Sequence, residues 1–309
     1  MRLVAPLLCL AGCAAQPADT APRTDIETQQ GAMDERLPAS VIQAQAKIEN
    51  IEERSGGRLG FVLRDPAGRV LLSHRGDERF AMCSTFKPLL AAMILSGDSG
   101  LDPDTRLTFD PSAIAGHAPY SRTRSDAGWM TVAAASESIV TVSDNFAANL
   151  LLHRVGGPRG LTDWVRGLGD EATRLDRREP ELNENAAGDP RDTTSPLAFA
   201  QTYHRLLTDK AVLGEAERAT LIDWMIASRT GLKRVRAGLP ADWKAGDKTG
   251  YCAAPGAVAI NDIAIFDPDG SGWYTLVFFL DRPREAGSFA DALGAEVGAL
   301  AAEVVRSAN

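Results

Sequence analysis

A serine and a lysine stand three residues apart at the start of an apolar run. Residues 81–90 read Ala-Met-Cys-Ser-Thr-Phe-Lys-Pro-Leu-Leu, and the run continues to Leu95. It predicts a buried helix on which positions i and i+3 share a face, so Ser84 and Lys87 can meet. A desolvated lysine can take the proton of a serine hydroxyl, and free N–H groups at a helix start favour the developing negative charge. The pair indicates a nucleophilic serine; a capping serine beside a solvated lysine is the alternative.

Two further motifs offer groups that can complete such a site. Residues 143–145 read Ser-Asp-Asn in a predicted loop between two helices. They supply a second hydroxyl, on Ser143, and an amide, on Asn145, that both donates and accepts hydrogen bonds. Residues 248–250 read Lys-Thr-Gly on a predicted strand, where glycine lets another backbone or a ligand approach closely. Each triplet alone is weak evidence.

Hydrophobic periodicity predicts the elements that must position these motifs. The predicted helices cover residues 38–54, 131–139, 146–155, 161–168, 197–207 and 288–305. The predicted strands cover residues 58–64 and 69–74, which form a hairpin, and residues 257–266 and 273–280. Strands at both ends with helices between them indicate one sheet built from both termini and an inserted helical subdomain.

Composition limits the class of protein. The chain has 309 residues, 44% hydrophobic and 24% charged, which is enough to bury a sizeable core in one or two domains. A formal charge of −8 and the lack of a basic cluster argue against a nucleic-acid partner. We expect a small-molecule ligand.

The N-terminus has the layout of an export signal. Two residues, Met1 and Arg2, precede an apolar stretch from Leu3 to Leu10 that is too short to span a bilayer. Residues 10–13, Leu-Ala-Gly-Cys, resemble a bacterial lipobox, so we expect residues 1–12 to be removed and Cys13 to be lipidated. Ordinary signal-peptide cleavage slightly later is the alternative.

The remaining chain divides by composition. Residues 13–36 are polar and lack an apolar period, so we expect a disordered tether. The folded domain should cover residues 37–309. Its sheet subdomain is expected at about 37–80 and 225–309, and its helical subdomain at about 81–224.

Only two cysteines, Cys83 and Cys252, fall within the predicted domain. In an oxidising compartment such a pair favours a disulfide, and two buried thiols are the alternative.

Two more stretches complete a resemblance to a known family. Residues 177–183 read Arg-Arg-Glu-Pro-Glu-Leu-Asn, and residues 191–194 read Arg-Asp-Thr-Thr. Together with Ser-X-X-Lys, Ser-Asp-Asn and Lys-Thr-Gly in that order, they resemble class A serine β-lactamases over residues 37–309. The first stretch is similar to the family's omega-loop motif, which the penicillin-binding relatives lack. The resemblance implies an α/β (α+β) fold of the β-lactamase/transpeptidase type. In it an antiparallel five-stranded sheet is flanked by terminal helices, with an inserted all-helical subdomain.

The resemblance also implies a mechanism. A β-lactam would acylate Ser84, and Ser143 would pass a proton to the departing lactam nitrogen. Glu179 and Asn183 would then hold the water that hydrolyses the ester. Either Lys87 or Glu179 would be the acylation base, and the sequence leaves that choice open. Neither a metal nor another cofactor is required.

The remaining site residues are implied by the same resemblance. Backbone N–H groups of Ser84 and Tyr251 would bind the oxyanion, and Arg177 and Asp192 would form the ion pair that closes the omega loop. The substrate-binding residues would be Asn145, Lys248, Thr249, Gly250, Tyr251 and Arg234, with Tyr120 at the rim. Lys248, Thr249 and Arg234 would gather the substrate carboxylate.

Substrate range and cellular role follow less directly. Cys83 and Cys252 resemble the disulfide of the carbapenem-hydrolysing branch of the family, whereas Tyr251 stands where that branch has a small or hydroxyl residue. We expect a monomer in the bacterial periplasm. A penicillin-binding sensor that is acylated without turnover, or a cell-wall peptidase, is the alternative function, and neither gives a role to Glu179.

Overall fold

The computed structural model describes residues 39–308. The α-helices are α1 (Ala39–Ser55), α2 (Lys87–Leu95), α3 (Pro119–Thr123), α4 (Val132–Thr141), α5 (Asn145–Arg154), α6 (Gly157–Gly167), α7 (Pro196–Thr208), α8 (Glu215–Ile226), α9 (Val235–Gly238) and α10 (Ser288–Ala308). The strands are β1 (Arg58–Arg64), β2 (Val70–His74), β3 (Phe80–Ala81), β4 (Arg106–Thr108), β5 (Trp129–Thr131), β6 (Thr193–Thr194), β7 (Lys244–Cys252), β8 (Ala259–Asp267) and β9 (Tyr274–Asp281).

The main sheet joins the two ends of the described chain. It has five antiparallel strands in the order β2-β1-β9-β8-β7. The N-terminal hairpin pairs with the last strand, from Arg58 opposite Asp281 to Arg64 opposite Thr275. The predicted sheet and the fold class are therefore confirmed.

Hydrophobic cores cover both faces of this sheet. Successive side chains of a strand point to opposite faces, and on β9 Phe278 packs in the core with Ile48 of α1 and Val297 of α10. The next residue, Phe279, packs in the other core with Ile139 of α4. Burial on both faces explains why β9 is a continuous apolar run rather than an alternating one.

The helix expected from Ser84 begins three residues later. Cys83 has a φ of 48°, so the chain turns sharply, and Cys83–Phe86 form a 3₁₀ turn before α2 begins at Lys87. Pro88 fits the first turn of α2, where its missing N–H costs no hydrogen bond. The side chains from Lys87 to Ile94 are all buried, as the apolar run predicts.

The N-terminal predictions, including the signal peptide, the tether and lipidation of Cys13, lie outside the described residues. Within residues 39–308 no helix is both long and apolar enough to cross a bilayer.

Candidate active site

The 3₁₀ turn Cys83–Phe86, which we call the nucleophile turn because it carries Ser84, meets the omega loop at one oxygen of Glu179. Ser84 Oγ donates a hydrogen bond to Glu179 Oε1 over 3.2 Å. Lys87 Nζ lies 3.2 Å from the same oxygen, and both Lys87 and Glu179 are buried. Glu179 Oε1 therefore contacts both the predicted nucleophile, Ser84, and the other candidate base, Lys87.

Lys87 also binds the Ser-Asp-Asn loop. Its Nζ donates to Ser143 O over 2.8 Å, to Ser143 Oγ over 3.2 Å and to Asn145 Oδ1 over 2.5 Å. Burial lowers the pKa of Lys87, and the charge of Glu179 opposes that effect. A lowered pKa makes the neutral amine, which can accept a proton, easier to reach.

A second lysine approaches Ser143 from β7. Lys248 Nζ donates to Ser143 Oγ over 3.0 Å and to Thr249 O over 2.7 Å. Burial, together with the charge of Lys87, holds the pKa of Lys248 well below its usual range. The Ser143 hydroxyl thus contacts two buried amines, which suits it to pass a proton.

A buried aspartate shapes the loop that carries Ser143, whose φ is 58°. Asp144 caps α5 by accepting from the N–H of Ala147 over 2.8 Å. It also accepts from the N–H and the hydroxyl of Ser121, each over 2.8 Å. An aspartate just before a helical run is the sequence signal from which this capping role could have been predicted.

The omega loop presents Glu179 beside an amide. Asn183 Nδ2 donates to Glu179 Oε2 over 2.6 Å. The backbone of Glu179 is held from both sides by Asn149, which donates to its carbonyl over 2.8 Å and accepts from its N–H over 3.0 Å. The role of Asn149 was not predicted, since nothing in the sequence shows that its helix faces the loop.

The ends of the loop are fixed by charged and amide side chains. Arg177 Nε lies 2.5 Å from Asp192 Oδ2, and Asp192 Oδ1 accepts from the N–H groups of Asp176 and Arg177 over 2.8 and 2.9 Å. Beyond Asn183, Asn185 Nδ2 donates to Ala257 O and Asp281 Oδ1, each over 2.9 Å. The Asn185 contacts tie the loop to the main sheet.

Strand β7 packs closely against the nucleophile turn. Cys83 and Cys252 form a disulfide with a Cα–Cα distance of 5.6 Å, so the predicted bond is confirmed. A β-carbon on Gly250 would lie 2.7 Å from Met82 O, closer than real contacts allow. Glycine is needed there because another backbone approaches.

The outer predicted residues lie around this centre. Arg234 Nε lies 2.8 Å from Asp291 Oδ1, and its Nη1 donates to Asn261 O over 2.9 Å and to Gly250 O over 3.3 Å. Thr249 Oγ1 donates a hydrogen bond to Thr230 Oγ1 over 2.7 Å, a partner that no sequence motif indicates.

The two predicted aromatic residues differ in exposure. Tyr251 is 50% exposed. Tyr120, on α3, packs against the core and lines a separate cavity with Glu137 and Arg229. Its placement at the rim stays a prediction.

Taken together, these groups suit acyl transfer followed by hydrolysis. The site offers a hydroxyl, two buried lysines with lowered pKa values and a carboxylate paired with an amide. Among residues 39–308, no cluster of three or more His, Cys, Asp or Glu side chains is placed to hold a metal ion.

Comparison with known proteins decides the family. The sequence model of the β-lactamase enzyme family matches residues 43–305. An ancestral class A β-lactamase structure shares 46% identity and a TM-score of 0.79, covering 85% of this chain and 99% of that one. The chain belongs to the class A β-lactamase family.

β-Lactamases from living bacteria support the same family assignment. β-Lactamase OXY-1 of Klebsiella oxytoca is 40% identical over 252 residues, 81% of this chain and 84% of that protein. β-Lactamase FAR-1 of Nocardia farcinica is 44% identical over 225 residues, 72% of this chain and 70% of that protein. A β-lactamase structure from Desulfarculus baarsii has a TM-score of 0.79 at 39% identity and covers 86% of this chain and 98% of that one. The chain is therefore a hydrolase of β-lactams.

Proposed function

We propose that this class A β-lactamase forms an acyl-enzyme on Ser84 and releases it by deacylation assisted by Glu179. One observation carries the proposal. The Glu179 carboxylate contacts Ser84 Oγ through Oε1, at 3.2 Å, and Asn183 Nδ2 through Oε2, at 2.6 Å. A water held by Glu179 and Asn183 would lie beside the ester carbonyl, where the carboxylate can accept its proton during attack.

In acylation, Ser84 attacks the lactam carbonyl and either Lys87 or Glu179 takes its proton. Ser143 then passes a proton to the departing nitrogen, a role supported by its hydrogen bonds from Lys87 and Lys248. The N–H groups of Ser84 and Tyr251 would stabilise the oxyanion. The Cys83–Cys252 bond supports this pairing because it links the residues next to both groups.

For substrate binding, Lys248, Thr249 and Arg234 would gather the carboxylate of the β-lactam. The contact of Arg234 with Gly250 O, at 3.3 Å, keeps its guanidinium next to β7 and supports this role. Asn145 would bind from the opposite side, and Tyr120 would form part of the rim.

We also propose that the substrates include carbapenems. The support is the disulfide between Cys83 and Cys252, which fits the carbapenemase-like branch of the family. The ring of Tyr251 is half-exposed, so substrates would be able to contact it. Steady-state hydrolysis of a carbapenem, followed by its ring absorbance, tests this directly, and no turnover would refute it.

The proposed site of action is the periplasm, with the protein acting as a monomer anchored through lipidated Cys13. Wild-type protein should then partition with membranes, and a Cys13→Ser variant should become soluble or stay unprocessed. Activity found wholly in the soluble periplasmic fraction of wild-type cells would favour ordinary cleavage.

Sustained turnover of a chromogenic cephalosporin by the purified protein tests the proposed activity. We expect many turnovers per Ser84 in the wild type and none in Ser84→Ala, because the nucleophile is lost. A single burst equal to the enzyme concentration would instead indicate a penicillin-binding sensor.

A further inference from the structure

A cavity of about 420 Å³ lies along helix α4 and is lined by none of the catalytic residues named above. Ala134, Ser138 and Thr141 line it from α4, because positions three and four apart share one face of a helix. Val142, just before the Ser-Asp-Asn loop, and Ala227, at the end of α8, line it as well. We call this space the α4 cavity.

Two opposite charges border the α4 cavity. Glu137 of α4 and Arg229, which follows α8, both line it, and both are exposed. Among residues 39–308, neither side chain forms an ion pair or a hydrogen bond, so the two do not pair with each other. The backbone N–H of Arg229 donates to Thr141 O over 3.0 Å, which fixes this segment against the end of α4. A ligand with a complementary charge at each end can therefore bridge them.

The hydroxyl groups of the cavity wall are already engaged. Ser138 Oγ donates to Ala135 O over 2.8 Å, and Thr141 Oγ1 donates to Glu137 O over 2.9 Å. Polar recognition in the α4 cavity therefore rests on the carboxylate of Glu137 and the guanidinium of Arg229.

We propose that the α4 cavity binds a small zwitterion, a free amino acid whose ammonium pairs with Glu137 and whose carboxylate pairs with Arg229. A planar guanidinium matches a carboxylate by two parallel hydrogen bonds. The volume of the cavity falls within the range of small-molecule sites. This site goes beyond the proposed function and does not depend on the mechanism of β-lactam hydrolysis.

The apolar part of the wall favours an amino acid with a large apolar side chain. Pro119 and Tyr120 line the cavity together with the alanines of α4 and α8, and Tyr120 is partly buried against the helical core. An aromatic ring can pack on a tyrosine ring in an offset or edge-to-face arrangement. Exposed ion pairs alone contribute little to binding, so apolar contact must supply much of the affinity. Free phenylalanine is therefore a suitable probe.

NMR titration of the isotope-labelled protein with phenylalanine tests the inference. We expect saturable shifts of the backbone amide signals of Thr141, Val142 and Ala227. Phenylalaninamide lacks the carboxylate and N-acetylphenylalanine lacks the ammonium, so each should bind about fivefold more weakly. A pH of about 6 keeps the free amines protonated.

Two single-charge variants assign the ends of the ligand. Glu137→Gln should remove the preference for phenylalanine over N-acetylphenylalanine, and Arg229→Gln should remove the preference over phenylalaninamide. The matched controls are Glu53→Gln and Arg154→Gln, which remove the same charges from exposed residues outside the cavity lining. Both controls should leave the three affinities unchanged.

Equal affinities of the three compounds for the wild type, or no saturable shift, would overturn the inference. Kinetics add a second test, because a ligand outside the catalytic residues should not compete with substrate. Phenylalanine that raises the KM for benzylpenicillin as a competitive inhibitor would place it in the active site and would also overturn the inference. Failure of the proposed function is a separate result, because it would appear as no turnover of benzylpenicillin and would leave the amide shifts unchanged.

Discussion

At the scale of single residues, acylation depends on which group takes the proton of the Ser84 hydroxyl. Glu179 Oε1 contacts both Ser84 Oγ and Lys87 Nζ, each at 3.2 Å, so Glu179 can take the serine proton directly and Lys87 lies next to that contact. Burial lowers the pKa of Lys87, and the negative charge of Glu179 raises it. A substitution that removes the Glu179 charge should therefore show whether Lys87 or Glu179 is the acylation base.

The pH dependence of acylation in Glu179→Gln distinguishes them. If neutral Lys87 is the base, the rate rises with pH through the pKa of Lys87. Loss of the Glu179 charge lowers that pKa, so the acid limb should move to lower pH while acylation persists. Stopped-flow acylation rates from about pH 4 to about pH 9 measure this. Loss of acylation at every pH would instead assign the base to Glu179.

The residue types of this centre were predictable because each motif is short and continuous. In the structure both Lys87 and Lys248 donate hydrogen bonds to the Ser143 hydroxyl. Asn149 was not predictable, because its role depends on which face of α5 meets the omega loop. That orientation is set by tertiary packing, and helical spacing in the sequence does not predict it.

At the scale of elements, the active site is a contact between a turn and a strand. The disulfide joins the 3₁₀ turn Cys83–Phe86 to β7, and Gly250 lets the two backbones approach closely. The sequence predicted the bond from two cysteines. It did not predict the 3₁₀ turn, since the left-handed backbone of Cys83 is imposed by this packing rather than by local propensity.

Removing the disulfide should weaken both stability and catalysis. Cys83→Ser should lower the free energy of unfolding by about 2–5 kcal/mol, because the unfolded chain regains freedom. It should also lower carbapenem hydrolysis more than penicillin hydrolysis, since the turn and the strand carry the two oxyanion donors. Denaturant titration and the ratio of the two activities are the measurements, with Cys252→Ser as the matched variant.

An unchanged carbapenem-to-penicillin ratio in folded Cys83→Ser would contradict the catalytic part of that prediction. Two titratable thiols in periplasmically produced wild-type protein would contradict the bond itself.

The middle of the omega loop is held by Asn185. Its amide bridges Ala257 O and Asp281 Oδ1, and its φ is 46°, a conformation that glycine also adopts easily. Asn185→Gly therefore removes the bridge without backbone strain. We expect kcat to fall by about tenfold with accumulation of acyl-enzyme, because Asn183 and Glu179 lose their fixed position.

Rapid-quench mass spectrometry measures the acylated fraction of Asn185→Gly during turnover. Glu181→Ala, at an exposed position of the same loop, is the control and should behave as the wild type. An unchanged acylated fraction in Asn185→Gly would show that the bridge does not position the deacylating pair.

At the scale of the whole molecule, the fold buries a polar centre in a protein whose main sheet is covered by an apolar core on each face. Core residues such as Phe278 and Phe279 cover opposite faces of one strand, and the buried lysines Lys87 and Lys248 lie beside the helical core. The sheet formed by both ends of the chain was predictable from the strand patterns. The positions of Arg234 and Tyr120 were not, because they depend on how segments distant in sequence pack.

Intact-protein mass spectrometry after mixing with benzylpenicillin tests the central claim most directly. The account predicts that wild-type protein returns to its unmodified mass, because the ester on Ser84 is hydrolysed. Glu179→Gln should retain the added mass of the penicillin, and Ser84→Ala should never acquire it. A Glu179→Gln variant that clears the adduct as fast as the wild type would contradict the account.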